Sequence, residues 1–415
     1  MAVVHVVGAG LAGLAAAVWL AQRGREVALY EAANQAGGRC RSYFDRSLGR
    51  LIDNGNHLLL SGNRSALVYL DAIGARDTLL GPAEASFPFL DLATGQRWTV
   101  RPNRGRLPFW VACPSRRVPG TTARDYLAVW RLARAGEQET VGDRLDRRSR
   151  LWAAFWDPLA RAVLNTPPET ASARLLWAAL KESFARGGAG CRPLIARESL
   201  AASLVDPALR LLERHGARVT FGQRLRALAH TKDRVSRLDL GQRSVDLGPD
   251  DRLILALPPA QTGELLPGTP VPRGTHAIVN GHFQLDRPVE LPGGSALLGL
   301  VGGTAQWLFA RRDLVSLTVS AADDLAEEPV ETIAQRLWAD TAKALDLPPA
   351  PQPPSRIVKE KRATFAQTPE AARRRPGART ACRNLFLAGD WTATGLPATI
   401  EGAIRSGHLA AALAA

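Results

Sequence analysis

The first thirty residues constrain the fold most, because they carry a strand, a glycine-rich turn, a helix and a second strand in immediate succession. Val3–Val7 is a mainly β-branched run that predicts a buried parallel strand, and the turn Gly8–Gly13 follows it directly. An apolar helical pattern covers Leu14–Arg23, and Glu26–Tyr30 predicts a second strand. This order predicts a βαβ unit of the dinucleotide-binding type, and therefore an α/β chain.

The glycines of this turn each meet a different steric demand. Gly8 permits the tight turn, Gly10 lets the backbone approach a pyrophosphate, and Gly13 lets the helix pack closely on the strand. Ala12 belongs to the turn, and the N-terminus of the helix that follows offers free N–H groups and a partial positive charge to a phosphate. Glu31 ends the second strand, where it is spaced to accept hydrogen bonds from a ribose. These five residues predict a cradle for an ADP group.

The residues after Glu31 narrow the class of dinucleotide. Gly37 and Gly38 let the chain fold back over the pyrophosphate, and the Arg39 guanidinium can neutralise it. The pattern Glu31-x(5)-Gly37-Gly38-Arg39 resembles the superfamily of FAD-containing amine oxidases and phytoene desaturases. That resemblance implies FAD as the cofactor.

The same resemblance assigns further cofactor-binding residues. It implies that the segment around Asp53 and Gly55 runs beside the flavin, with Asn56 and His57 also in contact. It implies a backbone contact to the adenine from Leu225, on the second of two strands predicted in 216–228. For Asp53 and His57, hydrogen bonds that merely satisfy a turn are an equally good interpretation.

A second glycine-rich segment lies close to the other end of the sequence, and it predicts the other half of the flavin site. A hydrophobic strand ends at Gly389-Asp390, where a carboxylate can hold the ribityl hydroxyls of a flavin. After a turn through Pro397, a last helix begins at Ile400 and Glu401. Its N-terminal amides and dipole favour negative charge at the N1–C2=O edge of a reduced flavin.

Two glycine-rich segments so far apart predict that the chain leaves the dinucleotide domain and later returns to it. We expect an α/β fold with a Rossmann-like FAD-binding domain of the glutathione-reductase type and an inserted α+β substrate domain. The FAD-binding parts are predicted to be 1–75, 198–265 and 356–415. The substrate parts are predicted to be 76–197 and 266–355.

The middle of the chain sharpens the resemblance to one group. The stretches FWDPLARAVLNTPPETASA, LVDPALRLLERHGARV and EKRATFAQTP resemble the hydroxysqualene dehydroxylases, also called squalene-associated FAD-dependent desaturases. Their signature matches Trp156, Pro158-Leu159 and the run Leu164–Pro168. The resemblance implies reductive dehydroxylation of hydroxysqualene to squalene in bacterial hopanoid biosynthesis, with functional coupling to squalene-synthase-like enzymes.

Loss of water from an allylic alcohol requires an acid in an apolar site. The candidates are Asp157, Asp53, His57 and Glu360, and the sequence does not choose among them. Asp157 is equally well explained as the cap of the helix that Pro158 begins.

Three rival functions share parts of this pattern. A carotenoid-type desaturase would use the same FAD site to oxidise its substrate, so that only reaction direction separates it from a dehydroxylase. An amine oxidase would show an aromatic cage, and a non-enzymatic isoprenoid carrier would not need intact FAD-binding segments. The chain shows no second GxGxxG segment for a nicotinamide, so the reductant is unknown.

The net charge and the cysteine content restrict the remaining classes of function. The net charge is +14, but only five of the 53 basic residues are lysines and no aromatic-interleaved basic stripe appears, which disfavours nucleic-acid binding. The four cysteines form no CxxC pair, so we expect a reducing cytoplasm and no metal.

Residues 109–135 combine aromatic and basic side chains, as an interfacial membrane anchor does, and an ordinary surface helix explains them equally well. We therefore expect a cytoplasmic protein that is either soluble or peripheral on the inner face of the membrane.

Overall fold

The computed structural model describes residues 2–415, which fold into short strands and helices around several sheets. The strands, in chain order, are β1 (Val3–Val7), β2 (Glu26–Tyr30), β3 (Ser42–Asp45), β4 (Arg50–Asp53), β5 (Leu59–Leu60), β6 (Leu79–Leu80), β7 (Phe87–Asp91), β8 (Arg97–Val100), β9 (Pro193–Ala196), β10 (Arg218–Thr220), β11 (Ala227–His230), β12 (Val235–Asp239), β13 (Ser244–Asp246), β14 (Arg252–Leu255), β15 (Thr275–Gln284), β16 (Leu297–Val301), β17 (Trp307–Arg311), β18 (Leu314–Ser320), β19 (Ser355–Phe365) and β20 (Leu385–Leu387).

The α-helices are mostly short and lie between the strands. In chain order they are α1 (Leu11–Ala21), α2 (Arg64–Ala72), α3 (Val129–Ala133), α4 (Val141–Arg144), α5 (Asp157–Leu164), α6 (Ala173–Glu182), α7 (Gly188–Cys191), α8 (Leu200–Leu204), α9 (Asp206–Arg214), α10 (Pro259–Leu265), α11 (Asp323–Glu327), α12 (Val330–Ala344), α13 (Pro369–Arg373) and α14 (Ile400–Ala414). Among residues 2–415, no helix combines the length and the apolar character needed to cross a bilayer.

A five-stranded parallel sheet carries the predicted βαβ unit. Its strand order is β10-β2-β1-β14-β20, so strands from three distant parts of the chain lie side by side. The apolar side chains of β1 and β14 are buried except at Val3, as parallel strands covered on both faces require. Helices α1 and α14 pack together so closely that a Cβ atom at Gly407 would lie 2.1 Å from the carbonyl oxygen of Ala12. The beginning and the end of the predicted FAD-binding domain therefore form one unit.

A seven-stranded sheet of order β19-β15-β18-β17-β16-β7-β8 forms the inserted domain. One face packs on α11 and α12 through Val279, Phe283 and Leu337, which are all fully buried. The opposite face changes character along the sheet. It carries polar side chains on β15 and β18, such as Asn280 and Thr318, and aromatic side chains on β17, β7 and β8. This gradient places polar chemistry at one end of the face and an apolar surface at the other.

The structure corrects several sequence predictions about local elements. The apolar positions of residues 122–135 predict a single helix, but the structure has a 3₁₀ helix, Ala123–Ala128, followed by α3. The sequence also predicts one helix over residues 200–214, but it breaks at Val205 into α8 and α9, because Pro207 has no amide proton to continue the first helix. Leu225 lies in the loop between β10 and β11, and not on a strand as predicted.

The predicted domain boundaries stay a proposal, with one correction. Residues 356–365 were assigned to the FAD-binding domain, but β19 pairs antiparallel with β15 over most of its length. Membership of the seven-stranded sheet therefore moves the last boundary to after Phe365.

Candidate functional site

The glycine turns at the N-terminal end of α1 leave open space where the sequence predicts a pyrophosphate. Gly8 has φ of +102°, and a Cβ atom there would lie 2.4 Å from the carbonyl oxygen of Ala256. A Cβ atom at Gly13 would lie 1.8 Å from the oxygen of Gly8, so the helix packs directly on the turn. At Gly10, in contrast, an added Cβ atom would meet nothing within 4 Å. Gly10 therefore borders free space, as a residue that approaches a ligand must.

The second glycine pair folds back against the first turn. Gly37 donates its amide to the carbonyl of Ala9 over 2.8 Å, and a Cβ atom at Gly38 would lie 3.3 Å from the Cα atom of Gly10. Glu31 accepts the amides of Ala9 and Ala33 at 2.7 and 2.8 Å. The Glu31 carboxylate therefore fixes both turns, and its predicted bond to a ribose remains a prediction.

An ion pair joins the two glycine-rich segments of the sequence. Arg39 donates to the Asp390 carboxylate over 2.8 Å and to the carbonyl of Ala363 over 2.5 Å. Asp390 is 6% exposed, and its charge raises the pKa of the Arg39 guanidinium. The two residues predicted to serve the pyrophosphate and the ribityl chain are thus direct neighbours.

Sequence reasoning missed Arg375, which organises the loop that Asp390 begins. The guanidinium is buried and donates to the carbonyls of Asp390, Trp391, Thr392 and Leu396. Burial lowers its pKa to about 10, and no carboxylate pairs with it among residues 2–415. The only signal in the sequence is its place in a run of three arginines, which gives no hint of burial.

The N-terminus of α14 has free amides, as expected for the flavin end of the site. The Thr399 hydroxyl accepts the amide of Gly402, and the amides of Ile400 and Glu401 have no partner within residues 2–415. Buried Pro397 lies just before this cap. The Glu401 carboxylate, however, accepts the amides of Ser65 and Ala66 and so caps α2. Any contribution of Glu401 to a flavin must therefore come from its backbone amide.

A chain of hydrogen bonds links the loop after β4 to the polar face of the seven-stranded sheet. Asn56 donates to the Thr318 hydroxyl over 3.0 Å, and Thr318 donates to the amide oxygen of Asn280 over 2.8 Å. Asn54 donates to a carboxylate oxygen of Glu360 over 3.2 Å. A Cβ atom at Gly55 would lie 3.1 Å from the amide nitrogen of Asn280. The predicted segment 53–57 therefore lies directly against the sheet face that carries Glu360.

The structure separates the four candidate acids by what binds their oxygens. Both oxygens of buried Asp53 are occupied, by Ser42 and the Leu200 amide on one side and by Arg311 on the other. Asp157 is bound by the Arg161 guanidinium at 3.0 and 3.1 Å, although burial raises the pKa of its carboxyl group. Glu360 has one oxygen with no bond to the protein within residues 2–415.

His57 lines a small cavity together with a second histidine that the sequence analysis missed. His282 is 1% exposed, its Nδ1 lies 2.7 Å from the Ser316 hydroxyl, and its Nε2 has no well-aligned partner. Burial lowers the pKa of His57, and it lowers the pKa of His282 to about 4 despite the nearby Asp53 carboxylate. Both rings are therefore neutral at pH 7. Phe309 lines the same cavity from the aromatic side of the sheet.

The signature Leu164–Pro168 forms the junction between the inserted helices and the FAD-binding domain. Asn165 has φ of +44° and donates to the carbonyl of His276 and the Thr364 hydroxyl, both over 3.1 Å. The amide of Gln367 donates to Thr166, and the side-chain oxygen of Gln367 accepts the amide of Ala398 over 2.8 Å. The signature therefore positions the turn before α14.

Comparisons with known proteins agree with this architecture. Residues 11–415 match the family model described as flavin containing amine oxidoreductase. The chain is 48% identical to a hydroxysqualene dehydroxylase of Sinorhizobium fredii, over 99% of this chain and 98% of that one. It is 24% identical to a 15-cis-phytoene desaturase of an Oncidium hybrid, over 98% of this chain and 77% of that one. A structure of wild-type putrescine oxidase bound to putrescine covers 99% of this chain and 98% of its own, with a TM-score of 0.72 and 17% identity, which shows a shared fold.

The chain belongs to the hydroxysqualene dehydroxylase family. The predicted Rossmann-like FAD-binding fold with a mixed α/β insertion is confirmed, and FAD is the cofactor. The geometry fits it, because open space borders Gly10, Arg39 pairs with Asp390 of the second glycine-rich segment, and the amides at Ile400 and Glu401 are free within residues 2–415. Within residues 2–415, no group of three or more metal-ligating side chains occurs.

Proposed function

We propose that the chain reduces hydroxysqualene to squalene with FAD, as its family membership implies. One feature of the structure supports this proposal in addition to family membership. The sheet face beside segment 53–57 is polar at Asn280 and Thr318 and becomes aromatic toward Phe309 and Trp307. A long hydrocarbon with a single hydroxyl group matches that gradient, with the hydroxyl at the polar end.

The reaction balances when an alcohol, a proton and a hydride give a hydrocarbon and water. Protonation lets the allylic hydroxyl leave as water, and the resulting carbocation is delocalised over the double bond. Reduced FAD, when bound, supplies the hydride that completes the product. The protein must therefore hold the alcohol, deliver one proton and exclude bulk water from the cation.

Glu360 is the residue that we assign to proton delivery. Its carboxyl group faces the polar end of the sheet and keeps one oxygen free of protein bonds within residues 2–415, whereas both oxygens of Asp53 and of Asp157 are bound, in each case partly or wholly by a guanidinium group. The neutral ring of His57 is a poor proton donor at pH 7. Once Glu360 has given its proton, its negative charge stabilises the neighbouring carbocation.

Asn54 and Asn280 act as positioning residues in this proposal. The Asn54 amide donates to the Glu360 carboxylate over 3.2 Å, and the Asn280 amide approaches the backbone oxygen of Asn54 at 3.5 Å. These contacts restrict the rotamers of Glu360 on the sheet face. Neutral His282 and His57 add weak donors to the adjoining cavity without adding charge.

A single-turnover experiment tests the function. Purified protein is reduced under anaerobic conditions, hydroxysqualene is added, and the flavin spectrum and the lipid products are followed together. Reoxidation with an equal amount of squalene supports the proposal. A flavin that stays reduced contradicts it, and oxidation of phytoene or of an amine by the oxidised protein would support the rival activities instead.

The partners and location remain part of the proposal. The substrate is a long isoprenoid alcohol supplied by a squalene-synthase-like enzyme, and the reductant of the flavin is unidentified. We propose a cytoplasmic protein that contacts the inner face of the membrane, since its substrate is insoluble in water. Nucleic acid is not a partner in this proposal.

A further inference from the structure

Residues 101–135, which we call the arginine-rich patch, carry half of the net charge of the chain. They contain eight arginines and one aspartate, so their net charge is +7 out of +14. Within the part of the chain that the structure describes, none of these arginines forms an ion pair, although 21 ion pairs occur elsewhere. The single aspartate, Asp125, binds the backbone and hydroxyl of Thr122. The positive charge of the patch is therefore uncompensated within the protein.

The same patch exposes large apolar side chains. Four of the eleven exposed large apolar residues of the described chain fall within it, and they are Leu107 (65%), Phe109 (70%), Leu127 (59%) and Trp130 (55%). Ordinary exposed apolar residues occur singly, whereas these four are close in sequence and are interspersed with the arginines that form no ion pair. Aromatic and leucine side chains next to arginines are typical of surfaces that enter the interfacial layer of a bilayer.

A rigid base holds the apolar side chains in place. The rings of Trp110 and Tyr126 meet edge to face with centroids 5.0 Å apart, which joins the 3₁₀ helix Phe109–Ala112 to the 3₁₀ helix Ala123–Ala128. The Tyr126 hydroxyl accepts the amide of Val118 over 3.0 Å. The two elements that carry Phe109 and Leu127 are therefore packed against each other.

The base of the patch continues inward to the cavity beside the candidate site. Half-buried Trp110 and Val129 pack against the aromatic cluster that contains Phe89 and Trp307. Phe309 packs against the same cluster and lines the cavity that contains His57. An apolar molecule that passes from the patch toward the flavin would meet mainly apolar side chains.

We infer that the arginine-rich patch docks on a bilayer with anionic headgroups and receives the apolar substrate there. The location of the docking surface is independent of the reaction, and only the identity of the substrate rests on the proposed function. A bilayer accounts for both halves of the patch, because its phosphates pair with the arginines and its acyl region accepts the apolar side chains. An acidic partner protein would account for the arginines alone.

Vesicle flotation with the FAD-loaded full-length chain tests this inference. We expect binding to vesicles that contain phosphatidylglycerol, weak binding to pure phosphatidylcholine vesicles, and release by salt. Phe109→Ser combined with Trp130→Ser should weaken binding at least about tenfold. Replacing Arg104 and Arg106 with glutamine should weaken it about fivefold for each arginine.

The hairpin β3–β4 offers a matched control away from the patch. Phe44 is 64% exposed, and Arg46 is exposed and unpaired within residues 2–415. Phe44→Ser with Arg46→Gln should bind vesicles as the natural chain does. Equal loss in both variants, or no vesicle binding by the natural chain, would overturn the inference, and capture by an acidic protein without vesicle binding would do the same.

Two assay formats keep this inference separate from the reaction. The patch variants should lose turnover with substrate in vesicles and keep it with substrate in detergent micelles. A chain that binds vesicles but turns over no hydroxysqualene in either format would contradict the proposed function and leave the docking surface intact.

Discussion

At the residue scale, two glycines of one turn have different tasks although they lie three positions apart. A Cβ atom at Gly13 would collide with the backbone of Gly8, whereas one at Gly10 would enter open space. Gly13 is needed for the packing of α1 on the sheet. Gly10 is needed for the space in which a pyrophosphate binds.

We therefore expect Gly10→Val and Gly13→Val to fail in different ways. Gly10→Val should fold with a nearly unchanged unfolding temperature and lose bound flavin, because valine fills the ligand space. Gly13→Val should lower the free energy of unfolding by several kcal/mol, since the helix must move off the turn. Thermal unfolding and the flavin absorbance of purified protein check both. A yellow Gly10→Val protein with full flavin content would contradict the assignment of the cradle.

Glu360→Gln should lower kcat at least about a hundredfold while flavin content stays unchanged, because the amide cannot donate the acidic proton. The Gln side chain keeps an oxygen that can accept from Asn54, so the variant should fold. Asp157→Asn is the matched control and should retain the rate within a few-fold. The reverse outcome, with Asp157→Asn inactive and Glu360→Gln active, would show that Asp157 on α5 is the acid.

At the element scale, hydrogen bonds from buried side chains connect segments that are far apart in the sequence. The loop 390–396 has little regular structure and depends on the buried guanidinium of Arg375. Asn165 and Gln367 connect the inserted helices to the turn before α14. The geometry of the flavin end is therefore set by side chains outside the glycine-rich segments.

Arg375→Lys should weaken flavin binding about tenfold or more and lower the free energy of unfolding by about 2 to 3 kcal/mol. Lysine presents one ammonium group where the guanidinium reaches several carbonyls, so buried oxygens lose their donors. Flavin titration and denaturant unfolding check the two effects. Arg374→Lys is the control, because Arg374 is exposed and Glu370 is its only ion-pair partner within residues 2–415. If both variants behave alike, Arg375 does not organise the loop.

The sequence predicts local elements of this site better than the contacts between them. The strand β14 and the start of α14 follow from an apolar run and from the Thr399 cap, which are local signals. The bond between Asn280 and Thr318 depends on the pairing of β15 with β18, and no local pattern encodes that pairing. The burial of Arg375 likewise depends on a loop that reaches it only after folding. The prediction of a single helix over 122–135 is wrong because the first half of this segment forms a 3₁₀ helix.

At the scale of the whole molecule, several buried histidines make stability depend on pH. The pKa of His282 is about 4 in the folded chain against 6.5 for a free histidine, and burial also lowers the pKa of His5, His57 and His408. Above pH 6.5 the ring is neutral in both the folded and the unfolded chain, so its titration does not reduce the free energy of unfolding. Between pH 6.5 and 4 the unfolded chain binds the proton and the folded chain does not, so the free energy of unfolding decreases as the pH decreases.

For His282 alone, the free energy of unfolding should fall by about 2 kcal/mol between pH 7 and pH 5. His282→Gln should remove that part of the pH dependence, whereas exposed His230→Gln should leave it unchanged. Denaturant unfolding at both pH values measures the difference. An equal slope in His282→Gln and in the natural chain would show that His282 does not titrate as its burial requires.

The position of β20 and α14 beside β14 and α1 has a consequence for biosynthesis. The first glycine turn leaves the ribosome early, but the helix that packs on it and the Asp390 that pairs with Arg39 are made more than 350 residues later. Contacts of such long sequence separation form slowly, so the surface of α1 that α14 covers stays exposed until then. We therefore expect the complete flavin site to form only once this C-terminal segment has been made. Its early segments need protection from aggregation, and the arrival of the cofactor is a late event that stabilises the finished protein.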